Sequence, residues 1–145
     1  MSSSDALDAA DRLHKAAISL LRRVRVVDAE TGVSAPKLSA LSVLAFGGPK
    51  SLSALARAEQ VTPPTMSKLV ADLETEGLVA KRADRADRRG VRIEVTPKGR
   101  ALMEEGRRRR LALLASALAK LTRAERAQLD AAAALILRLV VDEAD

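Results

Sequence analysis

The chain has 145 residues, 48% of them hydrophobic and 30% charged, with 25 Lys and Arg against 19 Asp and Glu for a formal net charge of +6. That length suits one domain, or one domain with an extension, and with one Phe and no Trp or Tyr its core must be aliphatic. Cysteine and asparagine are absent and His14 is the only histidine, which excludes disulfides, thiolate or multi-histidine metal sites, a thiol redox sensor and N-glycosylation.

The longest apolar stretches fall far short of a membrane span, and no signal peptide is visible. The basic balance points to a cytoplasmic protein with an acidic partner, nucleic acid first, and no membrane partner. No cofactor or metal is expected.

From Asp5 to about Ala29, apolar residues recur at steps of three and four: Leu7, Ala10, Leu13, Ala17, Leu20/Leu21, Val24 and Val27. This is one apolar stripe on a helix. Asp5, Asp8 and Asp11 lie near its start, where the helix dipole favours anions, and are read as solvated rather than metal-binding. His14 is read as an ordinary polar residue on the flank of this helix. Thr31-Gly32 ends it. Ser34 caps a second helix, with Pro36 in the first turn and Leu38, Leu41, Leu44 and Ala45 inward, stopped by Gly47-Gly48-Pro49.

Ser51 caps a short third helix to about Glu59, and Thr62 a fourth, from Pro63 to about Glu76, closed by Gly77. The period then changes. Leu78 to Arg82 is short and extended, and Val91, Ile93 and Val95 alternate with Arg92 and Glu94, the two-residue period of a half-buried strand. The polar loop between them makes a β-hairpin. Thr96-Pro97 opens a long helix to about Lys120. A Thr122-to-Glu125 capping box opens the last helix, with Leu129, Ala132/Ala133, Ile136 and Leu139/Val140 on one side.

Enzyme signatures are missing. Gly47-Gly48-Pro49-Lys50-Ser51 resembles the end of a phosphate loop only faintly, since Pro49 stands where Gly must precede the Lys. The informative segment is residues 51–77. Two helical patterns meet across a short turn, Ala56 is small where the helices cross, and Leu52, Leu55, Val61, Met66, Leu69, Val70 and Leu73 supply a shared core: helix-turn-helix spacing. Gln60 sits where such turns often carry Gly and asks for a somewhat different turn.

Residues 81–92 then hold six basic residues, Lys81, Arg82, Arg85, Arg88, Arg89 and Arg92, against Asp84 and Asp87. A hairpin so charged, directly after a helix-turn-helix, is a winged helix, and interleaved aspartates can hold guanidinium groups in place. The fold class is therefore mainly α with a small β-hairpin wing.

From Asp84 to Gly99 the chain resembles the wing signature of the MarR family of bacterial transcriptional regulators. That signature is Asp-x-Arg, a hydrophobic strand, then Thr-x-x-Gly. It is matched by Asp87 and Arg89, by Val91, Ile93 and Val95, and by Thr96 and Gly99. The helix order matches as well. The resemblance implies a homodimer on an inverted-repeat operator of double-stranded DNA, subunit pairing through the terminal helices, and in many members release by a small-molecule effector. It divides the chain into a winged helix-turn-helix DNA-binding domain at 33–96 and a helical dimerisation region at 1–32 and 97–145. The stripes Leu7, Leu13, Leu20, Leu21 and Leu129, Ile136, Leu139, Val140 exceed what one thin helical domain can cover, so the chain is expected to dimerise.

On the fourth helix, Pro64, Lys68 and Ala71 face away from the core, flanked by Thr65 and Ser67. With Thr62 at the cap, Pro64, Thr65, Ser67 and Lys68 are the candidate major-groove residues. None is Arg, Asn or Gln, so bidentate base contacts are missing and DNA shape should carry much of the recognition. Pro63 and Pro64 lack N–H groups, so Thr62 can reach only the N–H of Thr65. Lys50 and Arg57 are expected on the DNA backbone. In the wing, Arg85 and Arg88 are expected on phosphates, and Arg89, oriented by Asp87, in the minor groove.

The Arg107–Arg110 run is read mainly as a solvated face, Glu104 pairing with Arg108 and Glu105 with Arg109. Any effector pocket would be aliphatic, lined by Leu and Val with Arg or Ser as polar anchors. Two other readings stay open: a weakly specific architectural DNA binder, and a helical protein-interaction module whose hairpin is only a charged loop.

Overall fold

A computed structural model describes residues 2–87 and 90–141. Along the described chain run α1 (Ser3–Ala29), α2 (Ala35–Gly47), α3 (Leu52–Ala58), α4 (Pro63–Thr75), β1 (Val79–Ala83), β2 (Val91–Val95), α5 (Pro97–Leu118) and α6 (Arg123–Val141). The chain divides into two compact units, one up to Arg109 and one from Arg110 on, so the boundary falls within α5.

α1 starts two residues before the expected Asp5. Ser2 Oγ accepts from the Asp5 N–H at 3.2 Å while the Asp5 carboxylate accepts from the Ser2 N–H at 3.1 Å. Asp5 is thus the return partner of a capping box rather than the first helical residue. Asp11 pairs with Lys15 at 2.8 Å, and His14 is exposed. No residue of the helix is buried. It ends where Thr31 Oγ1 donates to the Asp28 carbonyl and accepts from the Val33 N–H, with Gly32 at φ 71°.

The core of the first unit is small and aliphatic: Ala40, Leu41 and Leu44 from α2, Leu55 and Ala56 from α3, Met66, Val70 and Leu73 from α4, then Leu78, Val79 and Ile93. Leu38 and Ala45, expected inward, are only half-buried, because α2 turns Ala40 inward beside Leu41 and Leu44. Leu52 and Leu69 also lie at the margin of the core rather than within it. Val61 is 36% exposed and belongs to the turn instead.

The turn between α3 and α4 corrects a second expectation. Gln60 does not impose a different turn; it takes the left-handed conformation itself, at φ 55°. Its N–H donates to the Arg57 carbonyl and that of Val61 to the Ala56 carbonyl at 3.0 Å, the hydrogen bonds of a glycine-type helix stop. For a residue with a Cβ that conformation costs roughly 1–2 kcal/mol, which the two hydrogen bonds and the buried crossing at Ala56 offset.

β1 and β2 pair antiparallel, Val79 opposite Val95 and Lys81 opposite Ile93. β1 begins one residue after Leu78 because the Leu78 N–H returns to the Leu73 carbonyl at 2.9 Å, as part of the exit from α4. Lys50 adds a one-residue bridge to Ile93, with N–H···O distances of 3.1 and 2.8 Å, which the sequence pattern did not foresee. Val91 was expected inward with Ile93 and Val95 but is 51% exposed; it pairs with Ala83 at the loop end of the hairpin, outside the buried cluster.

α5 starts against the end of α4. Thr96 Oγ1 accepts from the Gly99 N–H at 3.1 Å and donates to the Gly77 carbonyl at 2.6 Å. A Cβ at position 99 would overlap the Leu78 carbonyl oxygen and press on Val95, so this approach requires glycine. In the second unit, α6 is opened by the expected capping box: Glu125 accepts from the Thr122 N–H at 2.8 Å and Thr122 Oγ1 from the Glu125 N–H at 3.1 Å.

The arginine run keeps the expected pair of Glu105 with Arg109 and replaces the other. Glu105, not Glu104, holds Arg108 at 2.7 Å, and it also holds Arg109 at 3.0 Å. Arg109 reaches on to Glu30 beyond the end of α1 at 3.2 Å. The hydrogen bonds from Arg108 and then Arg109 bring the Glu105 carboxyl from its ordinary 4.5 down to about 2.

A depressed folded-state pKa gives stability that is present above the unfolded value and lost as pH falls through the folded one. The contribution of Glu105 should therefore be complete above pH 4.5 and disappear toward about 2. In urea unfolding, wild type should exceed Glu105→Gln by a constant margin at neutral pH, and the margin should close as acid is added. A margin that persists to the bottom of that window would mean that the carboxylate charge is not what the arginines use.

Candidate nucleic-acid interface

Two surfaces of the first unit carry the sequence-predicted contact residues. On α4, Met66, Val70 and Leu73 anchor the inner side, and Pro64, Thr65, Ser67, Lys68 and Ala71 are all exposed on the outer side. Buried positions at 66, 70 and 73, spaced by four and three, fix that rotation, since about 3.6 residues make a turn. Thr62 Oγ1 accepts from the Thr65 N–H at 3.4 Å and donates to Thr65 Oγ1 at 2.9 Å. Pro63 and Pro64 have no N–H to offer, so the helix start presents fewer backbone donors than an ordinary helix N-terminus.

The second surface is the hairpin. Across it Arg82 pairs with Glu94 at 2.8 Å, and Arg92 with Asp84 at 3.2 Å while also reaching the Pro49 carbonyl at 3.5 Å. Asp84 organises the loop. Its carboxylate accepts from the Ala86 N–H at 3.0 Å, and its own N–H donates to the Gly90 carbonyl at 2.9 Å. The Gly90 N–H in turn reaches the Asp87 carbonyl at 2.9 Å. The Ala86 N–H and then the Arg92 guanidinium hold the Asp84 carboxyl below the usual carboxylate range.

Arg85 and Asp87 are exposed on this loop. Arg88 and Arg89 lie outside the described residues, so the expected Asp87–Arg89 arrangement does too. Asp84 was not singled out as a site residue from the sequence. The signal was there in an Asx turn, an aspartate bonding the N–H two residues on, at the mouth of a loop closed by Gly90.

Lys50 precedes α3 and Arg57 lies in its last turn. Arg57 is exposed, whereas Lys50 is tied into the bridge to Ile93, and its side chain lies over Gly47, with Cε 3.1 Å from where a Cβ there would stand. A cavity of about 180 Å³ opens between α3, α4 and the hairpin, lined by Leu52, Val70, Val91 and Ile93, with Ser67 and Lys81 as its polar groups. On α1, Leu7, Leu13, Leu20 and Leu21 are exposed, Leu7 by 72%. On α6, Leu129, Ile136, Leu139 and Val140 are exposed as well, Val140 by 64%. Among the described residues no helix is long and apolar enough to cross a membrane.

Asp84 is a local organiser on an exposed hairpin, where an ion pair adds little to global stability. Asp84→Ala, which removes the acceptor, should leave the melting temperature nearly unchanged while the amide of Ala86 exchanges with solvent several-fold faster. Unchanged exchange at Ala86 would remove Asp84 from its role in the loop.

The comparisons with known proteins agree on one family. Residues 31–90 match the model of the MarR family. An HTH-type transcriptional regulator of Mycobacterium tuberculosis is 40% identical over 140 residues, which is 97% of each chain. A MarR family protein from Bacillus stearothermophilus has the same fold, with a TM-score of 0.83 at 23% identity over 97% of this chain and 99% of that one. A MepR mutant from Staphylococcus aureus, solved bound to an oligodeoxyribonucleotide, superposes with a TM-score of 0.70 at 19% identity, covering 91% of this chain and 97% of that one. The chain belongs to the MarR family and is a DNA-binding transcriptional regulator.

Proposed function

We propose that two copies of the chain pair through α1 and α6 and bind an inverted-repeat operator in the cytoplasm as a regulator without catalytic activity. Each copy places the outer face of α4 in the major groove and its hairpin along the minor groove. The observation that carries this reading is the division of apolar surface. The winged-helix elements bury their apolar faces within one chain, whereas the 27 residues of α1 include none that is buried. Residues 33–96 then form the DNA-binding domain, and residues 1–32 and 97–145 the dimerisation region.

Within the interface, Lys68 is the strongest donor on α4, able to bond guanine or phosphate, with Thr65 and Ser67 beside it and Pro64 offering apolar contact. Thr62 fixes the helix start. Arg57, Lys50, Arg85 and Arg88 neutralise phosphates. Arg89 enters a narrow minor groove, which a carboxylate at Asp87 favours by restricting the guanidinium before binding. A small effector that loosens this grip is the finer part of the reading. The cavity beneath Ser67 has the aliphatic lining and cationic group to take a small molecule with an apolar face and an anionic group.

Light scattering at micromolar concentration should find a dimer and no stable folded monomer. On selected operators, Lys68→Ala should weaken binding without lowering the melting temperature. Arg89→Ala should lose affinity mainly on A·T-flanked operators, and Arg85→Ala should lose it equally on all flanks, with the salt slope flattened by about 0.9 for the phosphate released. A salt-independent interaction would instead support a protein-interaction module. An operator preference well below ~10³ over random DNA would support an architectural binder.

A further inference from the structure

Three successive carbonyls at the exit of α4 are all taken by the start of α5. The Glu76 carbonyl accepts from Lys98 Nζ at 2.9 Å, that of Gly77 from the Thr96 hydroxyl at 2.6 Å, and that of Leu78 from the Thr96 N–H at 3.0 Å. The Glu76 carboxylate is held from the other side by Lys37 of α2 at 2.7 Å. Gly77 is at φ 75°, a conformation that keeps its carbonyl in place for Thr96. Gly99, with no Cβ, lets the backbone of α5 come up against Leu78. The Thr96 oxygen works in both directions, capping α5 through the Gly99 N–H and holding α4 through the Gly77 carbonyl.

Ordinary capping would need only the first of these bonds. A side chain that closes one helix while donating to the carbonyl at the end of another joins the two into one rigid corner. We propose that Thr96 is a positioning residue for operator reading: its hydroxyl locks the exit of α4 to the first turn of α5, so that the outer face of α4 is held at one angle to α5 and only one half-site spacing fits. This rests on the dimeric reading above, in which the two α4 helices must reach two half-sites at once.

The energetic logic concerns stiffness more than stability. The buried cluster of Met66, Val70, Leu73 and Ile93 does not include Thr96, and the Leu78 and Glu76 carbonyls keep their partners when the hydroxyl is removed. Inserting one base pair moves a half-site by about 3.4 Å and turns it by roughly 35° about the DNA axis. A stiff corner turns that displacement into lost contacts, whereas a loosened corner lets α4 follow.

The experiment uses full-length wild type, Thr96→Val, Thr96→Ser and Lys98→Met on a selected operator and on versions with one base pair added to or removed from the spacer. Wild type and Thr96→Ser should lose roughly tenfold or more on the altered spacers, the scale of losing one specific base contact or more. Thr96→Val should bind the best operator somewhat more weakly but lose less than about threefold on the altered ones, since it lacks the donor that Ser retains. Lys98→Met, an exposed change that removes a different tie, should relax the penalty partway and guards against a Thr96→Val protein that fails to fold.

Equal weakening on every spacer with the wild-type penalty intact, for both Thr96→Val and Lys98→Met, would reduce Thr96 to a stabilising cap and overturn the proposal. Wild type that binds no operator better than random DNA would instead bring down the dimeric operator reading, and the proposal with it.

Discussion

At one point in the winged-helix unit backbone lies directly on backbone: the first turn of α5 sits against the Leu78 carbonyl, where residue 99 has no room for a Cβ. The rest of the unit follows from that contact. Because the Leu78 N–H returns to the Leu73 carbonyl and the Gly77 carbonyl is taken by Thr96, the chain enters the sheet only at Val79, which stands opposite Val95. Val95 is partly buried beside the same contact, and Ile93, two residues earlier on the same face, reaches the core and takes Lys50 as its other neighbour. A polar corner fixes this geometry because the core alone would not. Its largest fully buried side chains are Leu41, Leu44, Leu55, Met66, Leu73 and Val70. Flexible aliphatic side chains of similar size fill space well but specify orientation poorly, so directional bonds at the helix junctions select one arrangement.

Much of this was legible in the sequence, for physical reasons that can be named. Helix starts were legible because their caps are local. Ser51, Thr62 and the Thr122–Glu125 pair bond N–H groups three residues away and need no tertiary partner. Ser34 stood in the right place but makes no side-chain cap bond, so its position was readable and its role was not. What escaped was set by partners far along the chain. The Lys50 bridge depends on Ile93, 43 residues on, and the second tie of Arg109 depends on Glu30, 79 residues back. Gln60 escaped for a different reason. Propensity argued against a left-handed Gln, but the close crossing at Ala56 and two hydrogen bonds outweigh the local strain. Val61 and Val91 show the limit of periodicity, which gives a side chain its face but not how far the core extends beneath that face.

The candidate site follows the same division. The outer face of α4 was readable because its inner face is apolar at fixed spacing. The hairpin was readable as charge but not as arrangement. Of its six cations, Arg82 and Arg92 are engaged by Glu94 and Asp84, so they shape the hairpin as much as they add to its field. Under the proposed reading, the phosphate contacts therefore depend on the remaining cations of the loop and on Lys50 and Arg57. The two prolines at the head of α4 increase that dependence, since they remove backbone donors that would otherwise face a phosphate.

The charge around Arg107–Arg110 points the other way, toward internal use. Glu105 draws Arg108 and Arg109 inward along the helix, and Arg109 continues to Glu30. A run of four arginines read as a patch would overstate the field that any partner meets there. The same caution in reverse applies to α1. Its leucines at 7, 13, 20 and 21 extend along about 21 Å of helix at 1.5 Å per residue, and they stay exposed although each sits on the stripe that amphipathic periodicity assigns to a core. Apolar surface of that extent is rare on a chain that works alone. A second copy of the same chain carries the same stripe, and under two-fold symmetry each helix supplies both the surface to be covered and its cover. That is why the long helix with no buried residue, rather than the well-packed winged helix, carries the argument for two subunits.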